Sequence, residues 1–178
     1  MSVYKNIKTE ELFLPPMFFT KLKDILLSDV FPYYFIPGLQ KKMGSNNFKS
    51  ARNQFMLSHV LFKEEKERSN WFRTFEPVMY FISQKYTVNE LLRMKINFYT
   101  NQHRKIKYGA HIDFPHEKNK GLKSGVLNFV TCNGGTTINN KFYSSKANEL
   151  IVFDNELEHY AIAQTDTPTR IMLNINWK

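Results

Sequence analysis

Cysteine is almost absent from this chain, with Cys132 alone among 178 residues. That excludes a disulfide framework and a multi-cysteine zinc site. Glycine and proline are sparse at seven each, which excludes collagen-like and low-complexity architectures. No stretch approaches the ~20 consecutive apolar residues of a membrane-spanning helix. The opening Met1-Ser2-Val3-Tyr4-Lys5 lacks a basic segment followed by an apolar run, so secretion is not indicated. Together these predict a soluble, cytoplasmic protein. Acidic side chains are also scarce: 16 against 25 Lys and Arg, a net charge of +9.

What is present is core material. Hydrophobic residues make up 42% of the chain and aromatics 15%, which excludes wholesale disorder. The length suits one domain spanning residues 1–178. The positive charge is unevenly placed. Residues 1–110 carry 18 basic and 9 acidic side chains, whereas residues 111–178 carry 7 of each. Because the excess is spread out, a solvated basic surface explains it better than a phosphate-binding face.

Residues 1–90 read as helices and irregular connections that cover a core. Pro15-Pro16 can open a helix on which Phe18, Phe19, Leu22, Ile25 and Leu26 recur at helical spacing. Phe31-Pro32-Tyr33-Tyr34-Phe35-Ile36-Pro37-Gly38 is an extended aromatic segment, and Gln54 to Phe62 predicts a strand. A second helix is expected from near Glu76-Pro77 towards Tyr86.

From Leu91 the period becomes two. Leu92, Met94, Ile96 and Phe98 share one strand face, and Arg93, Lys95, Asn97 and Tyr99 share the other. Glu149 to Phe153 is a buried-strand run. Arg170 to Trp177 alternates again, with Ile171, Leu173, Ile175 and Trp177 opposite Arg170, Met172, Asn174 and Asn176. Short strands separated by turn signals predict a mainly β fold, a sandwich or barrel with a polar interior. The N-terminal helices would cover its apolar outer face.

His111-Ile112-Asp113 carries the chemistry. On a strand, residues two apart project from one face, so His111 and Asp113 can reach a common point. An imidazole and a carboxylate suit a divalent metal, and a second histidine would complete a two-His, one-carboxylate site with open positions. His159, in Glu158-His159-Tyr160, is the candidate third ligand. His59, His103 and His116 are expected to be ordinary hydrogen-bonded histidines. Arg170 falls on the polar inner face of the last strand, where an unpaired charge is costly. Its planar guanidinium suits a carboxylate, supplied either by a dicarboxylate bound at the metal or by a protein side chain.

At these residues the chain resembles the Fe(II)- and 2-oxoglutarate-dependent dioxygenases with a double-stranded β-helix (jelly-roll) core. The likeness is to their prolyl-hydroxylase-like branch, including the short members found in tailed phages. It covers about residues 91–178 and rests on several motifs in order. Lys95-Ile96-Asn97-Phe98-Tyr99 comes first, then His111-Ile112-Asp113-Phe114. Gly134-Gly135-Thr136-Thr137 stands in the place of the branch's Gly-Gly-x-Thr turn. Leu150-Ile151-Val152-Phe153-Asp154 precedes His159, and Arg170 to Trp177 matches the closing strand.

The resemblance implies that His111, Asp113 and His159 ligate iron and act in catalysis, and that Arg170 binds the C5 carboxylate of 2-oxoglutarate. Tyr99 would contribute to the cosubstrate pocket. Phe129 stands where relatives often carry a second cosubstrate-binding tyrosine, so Tyr99, Asn97, Thr137 or Asn174 would supply the missing polar contacts. The Arg-x-Ser of some relatives is also replaced, by Arg170-Ile171-Met172. The implied reaction consumes O2 and 2-oxoglutarate, releases succinate and CO2 and oxidises a substrate, with ascorbate as a further candidate cofactor.

The substrate is less legible. The polar, basic segments Asn101 to Gly109 and Pro115 to Gly121 flank the metal motif as lids or solvated loops. The branch favours hydroxylation of a peptidyl residue, hence a protein or peptide partner. A nucleic-acid-modifying oxygenase, a non-catalytic jelly-roll binding module and a zinc hydrolase are the rival readings. A phage source would place the protein in the host cytoplasm.

Overall fold

The computed structural model describes residues 7–37, 54–114 and 121–178. His116 and nearly all of the Pro115–Gly121 segment lie outside the described residues. Two antiparallel sheets dominate. The larger contains eight strands, with β1 (Lys8–Glu10), β9 (Leu150–Asp154), β6 (Lys123–Asn128), β11 (Thr169–Trp177), β5 (Leu91–Thr100), β3 (Met56–Lys63) and β2 (Tyr34–Ile36) in spatial order, and β4 (Lys66–Glu67) pairing β3. The smaller has β10 (His159–Ile162), β7 (Cys132–Ile138) and β8 (Lys141–Ser145). The alternating strands predicted a sandwich or barrel, and the two-sheet arrangement is the jelly-roll that the family resemblance implied.

The alternation partitions the core as predicted. Met94 and Ile96 of β5, with Ile171, Leu173, Ile175 and Trp177 of β11, bury one face of the large sheet under the helices. Those helices are α1 (Pro16–Leu27), α2 (Phe72–Phe75) and α3 (Val78–Ser83). Pro16 sits in the first turn of α1, and Leu22 and Leu26, four apart, are its buried residues. The opposite sheet face meets the small sheet through a second cluster including Met56, Tyr99, Val126, Ile138, Phe153 and Met172.

Three expectations change. Residues 1–90 are more than a helical cover, because β1, β2 and β3 extend the large sheet. The second helix, expected from Pro77 to Tyr86, shortens to α3. Gly134-Gly135-Thr136-Thr137 lies within β7 rather than at a turn. There a Cβ on Gly135 would come 2.1 Å from the Tyr143 carbonyl oxygen, so the approach of β8 requires a residue without a side chain. Among the described residues no helix is long and apolar enough to cross a membrane.

Candidate metal centre

His111-Ile112-Asp113 does not form a regular strand. His111 makes a single bridge to His159, with reciprocal backbone hydrogen bonds of 3.0 Å, while Asp113 lies in a bend. That one pair is sufficient to align the two histidines, whose ring centroids are 4.5 Å apart. Asp113 turns between them, with Oδ1 3.6 Å from His111 Nε2 and Oδ2 3.8 Å from His159 Nε2. One ligand atom from each residue lies within 4.8 Å of the others. No other such group of His, Cys, Asp and Glu occurs among the described residues.

Backbone carbonyls set the tautomers. His111 Nδ1 lies 3.0 Å from the Gly109 carbonyl and His159 Nδ1 3.0 Å from that of Leu157. A carbonyl only accepts, so each Nδ1 carries a hydrogen, which leaves each Nε2 as the atom that would give its lone pair to a bound metal. His159 Nε2 is buried without a hydrogen-bond partner. Two imidazole nitrogens and a carboxylate oxygen pointed at one spot fit a divalent metal.

The carboxylate is braced from the large sheet. Arg93 Nη2 stands 2.6 Å from Asp113 Oδ1, and Asn176 Nδ2 donates to Oδ2 at 3.0 Å. Arg93 Nε donates to Asn176 Oδ1 at 3.0 Å, and Ser124 and Asn155 extend the network behind. Burial alone would raise the Asp113 carboxyl. The adjacent His111 ring and the charge of Arg93 outweigh that and hold it well below the carboxylate range. Burial lowers His159. It would also lower His111, but the adjacent Asp113 carboxylate raises that ring above its ordinary value.

A cavity of about 320 Å³ opens between the sheets beside this centre. Asn97, Tyr99 and Asn174 line it together with Arg93, Lys95, Tyr108 and Val126. Arg170 is fully buried behind Tyr99, its guanidinium carbon 5.6 Å from the ring centroid. Nη2 donates to Thr136 Oγ1 at 2.9 Å, while Nε and Nη1 have no hydrogen-bond partner. Among the described residues no carboxylate forms a salt bridge with it. Burial pushes the Arg170 guanidinium down to about 10 and the Tyr99 hydroxyl up to about 12. Unpartnered N–H groups in a buried guanidinium fit a small carboxylate ligand.

Two assignments move. Thr137 pairs with Tyr160 across the β7–β10 ladder, and Thr136 is the residue on the cavity wall. Phe129 faces the helices, stacked on Phe19 at 5.5 Å and 6°, while Val126 lines the cavity. The ring at this position therefore points to the side of the sheet away from the cavity.

His59 is an ordinary core histidine, 2.6 Å from the Pro32 carbonyl and packed on Phe31. His103 lies exposed in a loop. The basic segment after β5 is docked rather than free. Tyr108 N bonds the Ala161 carbonyl, Ala163 N bonds that of Ile106, and the Lys107 ammonium sits 4.2 Å from the Tyr160 ring. Sequence reasoning assigned no role to Arg93, Asn176 or Thr136, although the alternation of β5 and β11 already placed Arg93 and Asn176 on the inward faces.

The fold and site define a double-stranded β-helix with a two-His, one-carboxylate centre. Neither a protein-family model nor a curated protein matches the chain. Solved structures do. The non-haem alpha-ketoglutarate-dependent epimerase SnoN from nogalamycin biosynthesis superposes with a TM-score of 0.65 at 10% identity, over 98% of this chain and 78% of that one. A 2OG-Fe(II) oxygenase family oxidoreductase from Burkholderia pseudomallei gives 0.64 at 9% identity, over 99% and 86%. A Trichoplax adhaerens prolyl hydroxylase, solved with a peptide of hypoxia-inducible factor, gives 0.62 at 14% identity, over 98% and 84%. What the chain shares with them is the fold.

Proposed function

We propose that this protein is an Fe(II)- and 2-oxoglutarate-dependent dioxygenase of the prolyl-hydroxylase-like branch that hydroxylates a peptidyl residue. The observation that carries the reading is the pairing of two features: the His111–Asp113–His159 centre on the cavity wall, and Arg170 buried behind the Tyr99 and Thr136 of that wall with no salt bridge to a carboxylate among the described residues. A zinc hydrolase or a binding module gives no reason for the second.

In this reading His111, Asp113 and His159 hold the iron, and Arg170 with Thr136 holds the distal carboxylate of 2-oxoglutarate. The bound pair supplies an oxidant for a C–H bond, with O2 consumed and succinate and CO2 released. The chain's own work is geometric and electrostatic. Backbone bonds keep both imidazoles in the ligating tautomer, and Arg93 and Asn176 fix the carboxylate plane. Tyr99 lines the cavity with its ring 5.6 Å from the Arg170 guanidinium carbon, a contact that helps to orient the cation.

The peptide assignment rests on the branch likeness, joined by the prolyl hydroxylases among the structural matches. Anaerobic titration with Fe(II) and 2-oxoglutarate is the test. The visible charge-transfer band of the iron chelate is expected. Its absence from folded, metal-loaded protein would overturn the oxygenase reading. Mass spectrometry of peptide pools incubated in air, with and without ascorbate, then seeks products one oxygen atom heavier.

A further inference from the structure

Lys95 lines the cavity and has no direct partner among the described residues. It is half-buried on the inward row of β5 and lines the cavity, and among the described residues it makes no hydrogen bond or salt bridge. The β5–β11 register places it. Tyr99 lies opposite Arg170, Asn97 opposite Met172, Lys95 opposite Asn174 and Arg93 opposite Asn176. Lys95 is thus four residues, or about 13 Å of strand, from the Arg170 end. It belongs to the Asp113 end.

Charge around the cavity is unbalanced. Among the described residues three cations, Arg93 and Lys95 on its lining and Arg170 buried behind, meet one carboxylate, Asp113, which Arg93 neutralises. A divalent metal and a dianionic cosubstrate cancel each other, so the loaded site keeps a surplus of two positive charges. Arg170 has its use in the cosubstrate, and Lys95 has none. A half-buried ammonium without a counter-charge is unfavourable unless a ligand supplies one. Burial and the neighbouring Arg93 push it down to about 8 against the opposing pull of Asp113, whose carboxylate is already bonded to Arg93.

The neighbouring strand β3 carries cations too. Across the β3–β5 ladder it faces Val60, which lines a wider hollow of about 850 Å³. On the rim of that hollow Glu64 is shared by Lys63 at 3.0 Å and Arg68 at 2.7 Å, leaving one cation in excess.

We infer that Lys95 is a specificity-determining residue that receives a carboxylate of the prime substrate, so that the substrate is an acidic peptide. The inference rests on the oxygenase reading for its geometry. The test uses the full chain loaded with Mn(II) and 2-oxoglutarate, which does not turn over. Three pools of random peptides carry Asp and Glu, Asn and Gln, or Lys at the same variable positions. Retention of the acidic pool over the neutral one by about tenfold is expected, the scale of one charge-assisted hydrogen bond. Lys95→Met should abolish that preference, and Lys95→Glu should turn it towards the basic pool. Lys21→Glu on the exposed face of α1 makes the same change in net charge and should leave it intact. The affinity for 2-oxoglutarate, read from the Fe(II) chelate band, should stay within about twofold in both Lys95 variants.

Charge-blind retention by the unmodified protein, or retention unchanged by Lys95→Met, overturns the assignment. Loss of 2-oxoglutarate affinity in Lys95→Met does so as well, by giving Lys95 to the cosubstrate. A missing chelate band in the unmodified protein, with charge-dependent retention intact, overturns the oxygenase reading and leaves the Lys95 subsite standing.

Discussion

Arg93 Nη2 lies 2.6 Å from Asp113 Oδ1, and the same guanidinium donates from Nε to the Asn176 amide that holds the other carboxylate oxygen. One cation therefore sets both the charge and the plane of the candidate metal-binding carboxylate. Removing one partner of a buried ion pair leaves the other uncompensated. Arg93→Met should destabilise the metal-free protein by about 3 kcal/mol. A divalent ion can replace the lost charge, so Mn(II) should raise the Tm of Arg93→Met more than that of the unmodified protein. Denaturant and thermal unfolding with and without Mn(II) measure both effects, and equal metal-induced shifts would contradict the claim.

The same pair predicts an acid limit. The folded Asp113 carboxyl is held well below its ordinary value. Its contribution is present above the unfolded carboxyl's pKa of about 3.9 and is lost as pH falls through the lower folded value. The metal-free protein should lose stability in that acidic window, and Asp113→Asn should flatten the loss. Urea midpoints across pH read the difference.

Arg170 illustrates a site held at the expense of stability. Its guanidinium is fully buried, and two of its three nitrogens lack partners. Replacing such a charge with an apolar side chain of similar volume is often neutral or stabilising. Arg170→Met should therefore keep or raise the Tm while abolishing the 2-oxoglutarate-dependent band. A strongly destabilised variant would show that the guanidinium is structural.

His159 makes the opposite separation. Its Nε2 has no hydrogen-bond partner in the metal-free protein, so His159→Ala removes no bond from that atom. Loss of residues that merely orient metal ligands typically lowers affinity 10- to 100-fold, so loss of a ligand should cost roughly 100-fold or more. Calorimetric titration with Mn(II) or Zn(II) checks this, and unchanged affinity would remove His159 from the site.

Gly135→Ala tests the packing around the centre. The new methyl group would meet the Tyr143 carbonyl oxygen at 2.1 Å and the Phe142 ring at 2.6 Å. Overpacking against backbone should destabilise by about 3 kcal/mol and loosen the small sheet that carries His159. Chemical denaturation gives the first, and weaker metal binding the second.

Much of this was legible in the chain. Period-two alternation separated the apolar faces of β5 and β11 from the rows Arg93-Lys95-Asn97-Tyr99 and Arg170-Met172-Asn174-Asn176, because a pleated strand leaves no other choice. The parity of Thr136 was not legible. A register shift between Cys132 and Gly135 intervenes, and each extra residue in a strand reverses the faces beyond it. Phe129 was misplaced because a motif alignment carries no statement of which side of the sheet a ring occupies. The short strands β1 and β2 escaped because three residues hold too little pattern to separate a strand from a loop.

The scarcity of cysteine, the donor types in His111-Ile112-Asp113 and the two-residue period are properties of local covalent geometry, and the amino-acid sequence determined them alone. The convergence of His159 on Asp113 across 46 positions was decided by the fold. So were the bracing of Asp113 by Arg93, the reach of Thr136 to Arg170 and the isolation of Lys95. Each depends on strand order and register between two packed sheets, and those are fixed only when both cores close at once.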